Sequence, residues 1–130
     1  MLDISSEKVA HVIVRARELD GKVAVWDGAG DEADASSILE ARRDDPTEAE
    51  LRGFIDDMNV DEQVALVALM WIGRGTYDPD DIQEALDTAR SERVNKTEDY
   101  LLGVPLLADY LEEGLDRMGI SVEAAEEGIL

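Results

Sequence analysis

Residues 64–75 read VALVALMWIGRG, and this stretch constrains the fold more than any other part of the chain. Leu66, Val67, Leu69, Met70, Trp71 and Ile72 leave no wet face when wound into a helix. A helix that is apolar all round must be enclosed by protein or by lipid. The apolar run from Val64 to Gly73 is too short for a bilayer, which takes roughly 20 residues. The expectation is a central post wrapped by other helices.

Helical periodicity recurs on both sides of it. Val9, Val12, Ile13, Ala16 and Leu19 fall on one face of a helix over about Ser6 to Leu19, with Gly21 placed to end it. Lys22–Trp26 alternates polar and apolar residues but has no second strand to pair with, and reads as a packed connection. Asp27–Asp34, with two glycines and four acids, reads as a solvated acidic loop. Ser36 or Ser37 is placed to cap a short helix through Ala41. Thr47–Glu50 has the form of a capping box, followed by a stripe of Leu51, Phe54, Ile55 and Met58. Asn59–Glu62 breaks that helix and caps the central one, which Gly73 and Gly75 end. Asp78–Pro79–Asp80–Asp81 opens a helix that buries Ile82, Ala85, Leu86 and Ala89. Thr97 starts a short helix, and Gly103 interrupts it. Pro105 starts another through Leu106, Leu107, Tyr110, Leu111, Leu115 and Met118, which Gly119 closes. Ser121 is placed to cap a last short helix.

The expected fold is all-α, a compact orthogonal or antiparallel bundle of six or seven helices around a buried helix at about 61–73. A single domain spans 1–130, with a less regular front half (1–45), a compact core (46–119) and a C-terminal helix (120–130).

Charge narrows the function. The chain carries 32 acids against 12 bases, a net −20. Residues 1–26 are balanced, and residues 27–62 and 63–130 each carry a net −10. No segment offers the Lys and Arg that replace phosphate counterions, so nucleic acid and anionic membranes are not expected partners. Basic proteins are. There is no cysteine, which excludes thiolate metal sites and thiol nucleophiles. The opening residues lack a basic region followed by an apolar one, and the expected location is the cytoplasm.

The part from about 44 to 119 resembles a small bacterial family, domain of unknown function 3775. The residues that carry the resemblance are DEQVALVALMWIGRG at 61–75 and YLLGVPLLADYLEEGL at 100–115, in which Gly103, Pro105, Asp109, Tyr110, Glu112, Glu113 and Gly114 stand at characteristic spacings. The resemblance implies a compact helical domain and brings no activity, cofactor or site residue with it.

Catalytic constellations do not assemble from the residues. A di-iron carboxylate bundle needs two Glu-x-x-His pairs, and the one histidine, His11, has no acid three residues before it. A surface or half-buried place suits His11 better than metal ligation. A calcium loop started at Asp27 puts Ala29 third, Glu32 sixth and Ile38 twelfth, and fails. Asp78, Asp80 and Asp81 are explained by helix capping. Gly73–Arg74–Gly75 lacks the Lys-Ser/Thr ending of a phosphate loop. Catalytic residues, metal ligands and cofactors are therefore expected to be none.

What remains is a small cleft lined by Trp71, Arg74, Tyr77, Tyr100 and Tyr110, with Asp109, Glu112 and Glu113 as polar contacts. A structural tie between Arg74 and one of these carboxylates explains the same residues. The expected function is a non-catalytic protein-interaction module, acting on a protein partner or by self-association. An enzyme using the Arg/Tyr/carboxylate cleft, and an acidic mimic of nucleic acid that binds a basic protein, are the alternatives.

Overall fold

A computed structural model describes residues 3–28, 46–93 and 96–120, with side chains described outside 22–28. These residues form six α-helices and no strand: α1 (Ser6–Gly28), α2 (Pro46–Asp56), α3 (Val60–Arg74), α4 (Ile82–Ser91), α5 (Thr97–Leu102) and α6 (Leu107–Arg117). A 3₁₀ turn, Pro79–Asp81, leads into α4.

The post is α3. Every residue from Glu62 to Gly73 is buried. It packs most extensively on α6, then on α4, while α1 lies against α6 and α2, and α2 against α5. The neighbours contribute the faces that periodicity picks out. From α1 come Val9, Val12, Ile13, Ala16 and Leu19; from α2 Leu51 and Ile55; from α4 Ala85 and Ala89; from α6 Leu107, Leu111 and Leu115.

Both ends of α3 are locked by short-range bonds. At the start, Asn59 Oδ1 accepts from the Glu62 N–H at 2.8 Å, and Glu62 Oε1 accepts from the Asn59 N–H at 3.1 Å, a reciprocal capping box. Glu62 also pairs with Lys8 of α1. At the other end Gly75 takes φ 89°, and its N–H and that of Thr76 reach back to the carbonyls of Ile72 and Trp71. The left-handed turn closes the helix where an L side chain is strained.

The crossing of α3 and α6 is a backbone-on-backbone contact. A Cβ added at Gly73 lands inside the Tyr110 carbonyl oxygen and 2.8 Å from the Gly114 nitrogen. One added at Gly114 meets the Leu69 carbonyl oxygen and lies 3.0 Å from the Leu69 side chain. Gly73 was expected to end the helix; instead it lies inside α3 and lets α6 approach, and Gly75 alone makes the stop.

Other boundaries also differ from expectation. The first helix runs through Gly21 to Gly28, because Gly21 does not adopt the left-handed conformation a stop requires and a helical glycine costs only about 1 kcal/mol against alanine. Lys22–Trp26 is thus helical, not a connection, and Asp27 and Gly28 belong to α1 rather than to a loop. The rest of the acidic loop, the helix after Ser36 and the helix after Ser121 lie outside the described residues. Thr47 is buried and lies within the first turn of α2, one residue after the helix starts at Pro46. Neither Asp78 nor Asp81 makes a side-chain capping bond; the Asp81 N–H bonds the Asp78 carbonyl instead. Finally, α6 begins at Leu107, not Pro105. Leu106 sits before it at φ 62°, 56% exposed, and takes no part in the apolar stripe.

The Glu62–Lys8 pair gives a pH prediction. The Lys8 ammonium and the Asn59 N–H hold the Glu62 carboxyl below the usual glutamate range, against the opposing effect of burial. A depressed native pKa stabilises the fold above the ordinary glutamate range, and that gain is lost as acid protonates the native carboxylate. Lys8→Met is expected to lower the melting temperature near neutral pH, with the gap to wild type closing in acid. Thermal melts across a pH series check this; a gap that stays constant refutes it.

Candidate functional site

Most of α3 is covered by its neighbours, but one line of it is not fully closed. Gln63, Val67 and Trp71 stand four residues apart, a spacing that puts them on one face, with Val64 beside them. The end of α4 supplies Ala89 and the residues just after it, Glu92 and Arg93, and α5 supplies Thr97 and Tyr100. Together these nine residues line a cleft of about 130 Å³. Val64, Val67, Trp71 and Ala89 make an apolar floor. Glu92, Arg93 and Tyr100 stand exposed at its mouth, Tyr100 being 41% accessible.

The polar side of the cleft is organised by one buried amide. Gln63 is 4% exposed and lies near the start of α3, just ahead of its apolar run. Its Nε2 donates to the carbonyls of Ile55 (3.0 Å) and Met58 (3.1 Å), and so holds the end of α2 and the residues after it. Its Oε1 accepts from Arg93 Nη2 at 2.6 Å and from Thr97 Oγ1 at 3.2 Å. Both ends of the amide are thus satisfied, as burial demands, and the Arg93 guanidinium is anchored through one nitrogen. Opposite it, Trp71 Nε1 donates to the Tyr100 hydroxyl at 3.0 Å. Trp71 is itself backed by Tyr77, ring centroids 5.7 Å apart, and the Tyr77 hydroxyl hydrogen-bonds Thr88 Oγ1 at 3.3 Å.

Of the eight residues singled out in the sequence, three gather here. Trp71 and Tyr100 line the cleft and Tyr77 supports Trp71. The other five lie elsewhere. Arg74 is exposed at the end of α3, and its Nε donates to Thr76 Oγ1 at 3.0 Å. Asp109 and Glu112 pair with Arg17 of α1, at 3.4 and 2.7 Å, and Glu113 pairs with Arg117 one turn along α6. The tie between helices made by these carboxylates comes from Arg17, not Arg74. Tyr110 is half-buried, with its carbonyl against Gly73. Sequence reasoning missed Gln63, Val64, Val67, Ala89, Glu92, Arg93 and Thr97. The signal available for Gln63 was weak: an amide next to Glu62, at the edge of the apolar run that starts at Val64.

Among the described residues no group of three or more histidine and acidic side chains is placed to hold a metal ion, and no helix is long and apolar enough to cross a membrane. His11 is half-buried, stacked on Phe54 with ring centroids 4.2 Å apart; burial and the Arg15 charge hold its pKa below the ordinary value.

A family model described as "Protein of unknown function (DUF3775)" matches residues 48–120, which is more than half of the chain and spans α3 through α6 with all of the cleft. The expected extent was 44–119. No curated protein and no solved structure matches the chain.

Proposed function

The chain belongs to the DUF3775 family, whose description carries no activity, so its role has to be read from its own cleft, and we propose that it is a non-catalytic interaction module of the cytoplasm that seats one apolar side chain of a basic partner protein. The observation that carries this reading is the size and lining of the cleft. Drug-sized ligands occupy roughly 300–1,000 Å³, and about 130 Å³ is space for a single ring or a branched aliphatic group. An anchor side chain in a desolvated pocket is how a small interface concentrates its affinity. The net charge of −20 supports a basic partner and steers its approach. The aromatic pair of Trp71 on the floor and Tyr100 at the mouth, residues favoured at interfaces because they bring area and a polar handle together, supports it further.

The test fills the cleft. Ala89→Leu places a larger side chain on the floor, and circular dichroism with a thermal melt verifies that the fold persists. Affinity capture from native cells is expected to recover a basic protein on the wild-type chain and to lose it on Ala89→Leu, with recovery falling as salt rises. An identical set of proteins on both refutes the reading.

A further inference from the structure

Arg93 differs from most of the arginines that ring this core; Arg74, which bonds Thr76, is the other described arginine without a carboxylate partner, and it does not line the cleft. Arg15, Arg17, Arg52, Arg90 and Arg117 each pair with a carboxylate of the chain: Glu18, Asp109 and Glu112, Glu48 and Asp99, Asp61, and Glu113 respectively. In a chain with 32 acids such pairing is the ordinary outcome. Arg93 stands at the cleft mouth with no carboxylate of the described residues within ion-pair distance, and its partner is a neutral amide oxygen, Gln63 Oε1, at 2.6 Å. Gln63 is itself fixed by two main-chain carbonyls and by Thr97. The guanidinium is therefore held in place, beside an apolar pocket, with most of its fork of donors unspent. A guanidinium fork matches a carboxylate in two parallel bonds, and fixing it beforehand lowers the ordering cost of binding.

We propose that the cleft reads the free C-terminus of a partner protein: Arg93 takes the terminal carboxylate, and the floor of Val64, Val67, Trp71 and Ala89 takes the last side chain. The inference rests on the reading of the cleft as an interaction site and names what enters it. The occupant has stated chemistry. Its last residue is a leucine, isoleucine or phenylalanine, the sizes that about 130 Å³ admits. Its preceding residues are basic, because Glu92 stands at the same mouth and the chain as a whole carries a net charge of −20. Terminal-carboxylate capture is a known mode of peptide recognition, and here a side-chain guanidinium serves in place of a main-chain nest.

The test uses the full chain and two fluorescent peptides, Lys-Lys-Ala-Ser-Leu as the free acid and as the C-terminal amide, read by anisotropy. The free acid is expected to bind at least ten-fold tighter than the amide. Arg93→Gln is expected to erase that difference, Arg93→Lys to keep part of it, and Glu92→Gln to weaken binding of both lysine-bearing peptides. Ala89→Leu is expected to abolish binding of both. Equal binding of acid and amide by the wild type, still lost in Ala89→Leu, overturns the carboxylate inference and leaves the interaction reading standing. So does binding of neither peptide at millimolar concentration while cleft-dependent protein capture persists. Free leucine competing as well as the peptide acid overturns the assignment of the ligand to a protein terminus.

Discussion

Gly73→Ala is expected to remove more than about 3 kcal/mol of stability, above the usual range for overpacking a core. The reason is that the obstruction is not a side chain. The new methyl group would enter the Tyr110 carbonyl and stand 2.7 Å from that carbonyl's carbon and 2.8 Å from the Gly114 nitrogen. No rotamer change clears main chain, so α6 must move off α3, and every contact of the most extensive helix pair in the fold loosens with it. Gly114→Ala, which meets the Leu69 main chain from the other side, is expected to act in the same direction. Two other glycines separate this mechanism from a general effect of replacing glycine. Gly75 has open space around it but φ 89°, so Gly75→Ala should cost about 1 kcal/mol of backbone strain. Gly21 has open space and lies within a helix, so Gly21→Ala should stabilise by roughly 0.5–1 kcal/mol. Urea denaturation of the four variants reads all of these. A loss below about 1 kcal/mol at Gly73 would mean that the two helices do not cross where the structure puts them.

The same glycines mark how far the sequence could be read. A helix with no polar face announces its own burial, and the faces of α1, α2, α4 and α6 follow from periodicity, because both depend only on residues within a few turns of each other. Helix stops are less legible. Gly21, Gly73 and Gly75 look alike in one dimension, yet one is a tolerated interior residue, one is a crossing point and one is a left-handed cap. The decision between them is made by α6, whose approach to α3 is a tertiary fact. Leu106 was misplaced for a related reason: Pro105 permits a helix start, but the chain turns through a left-handed leucine before α6 begins.

The cleft was half legible. Trp71 and Tyr100 were singled out for their chemistry, and the structure joins them by a hydrogen bond. In sequence Arg74 stands out because it ends the apolar helix, and the acids of α6 because they lie on a helix that must pack nearby. With so many acids available, any arginine can be given a partner on paper; geometry assigns Asp109 and Glu112 to Arg17 and leaves Arg74 with Thr76. Arg93 and Thr97 gain their meaning only through Gln63, 30 and 34 residues away in sequence. A network of that span has no local signature.

Trp71→Ala is expected to cost about 3–5 kcal/mol, the range for deleting a core aromatic. Trp71 is 7% exposed although it lines the cleft, so most of its surface faces protein and the truncation leaves a void between α3, Tyr77 and Tyr100. Trp71→Phe separates the parts of that cost. It retains a ring against Tyr77 and loses the N–H donated to the Tyr100 hydroxyl, a group exposed enough to bond water instead. A neutral hydrogen bond of this kind contributes about 0.5–1.5 kcal/mol, so Trp71→Phe should fall well short of Trp71→Ala, with a remaining deficit from the smaller ring. Denaturant midpoints of the two variants, with the slope of the transition as a check on the unfolded state, give both numbers. A loss under about 1 kcal/mol for Trp71→Ala would place the indole in water, and α3 could not then be the post around which the other helices are arranged.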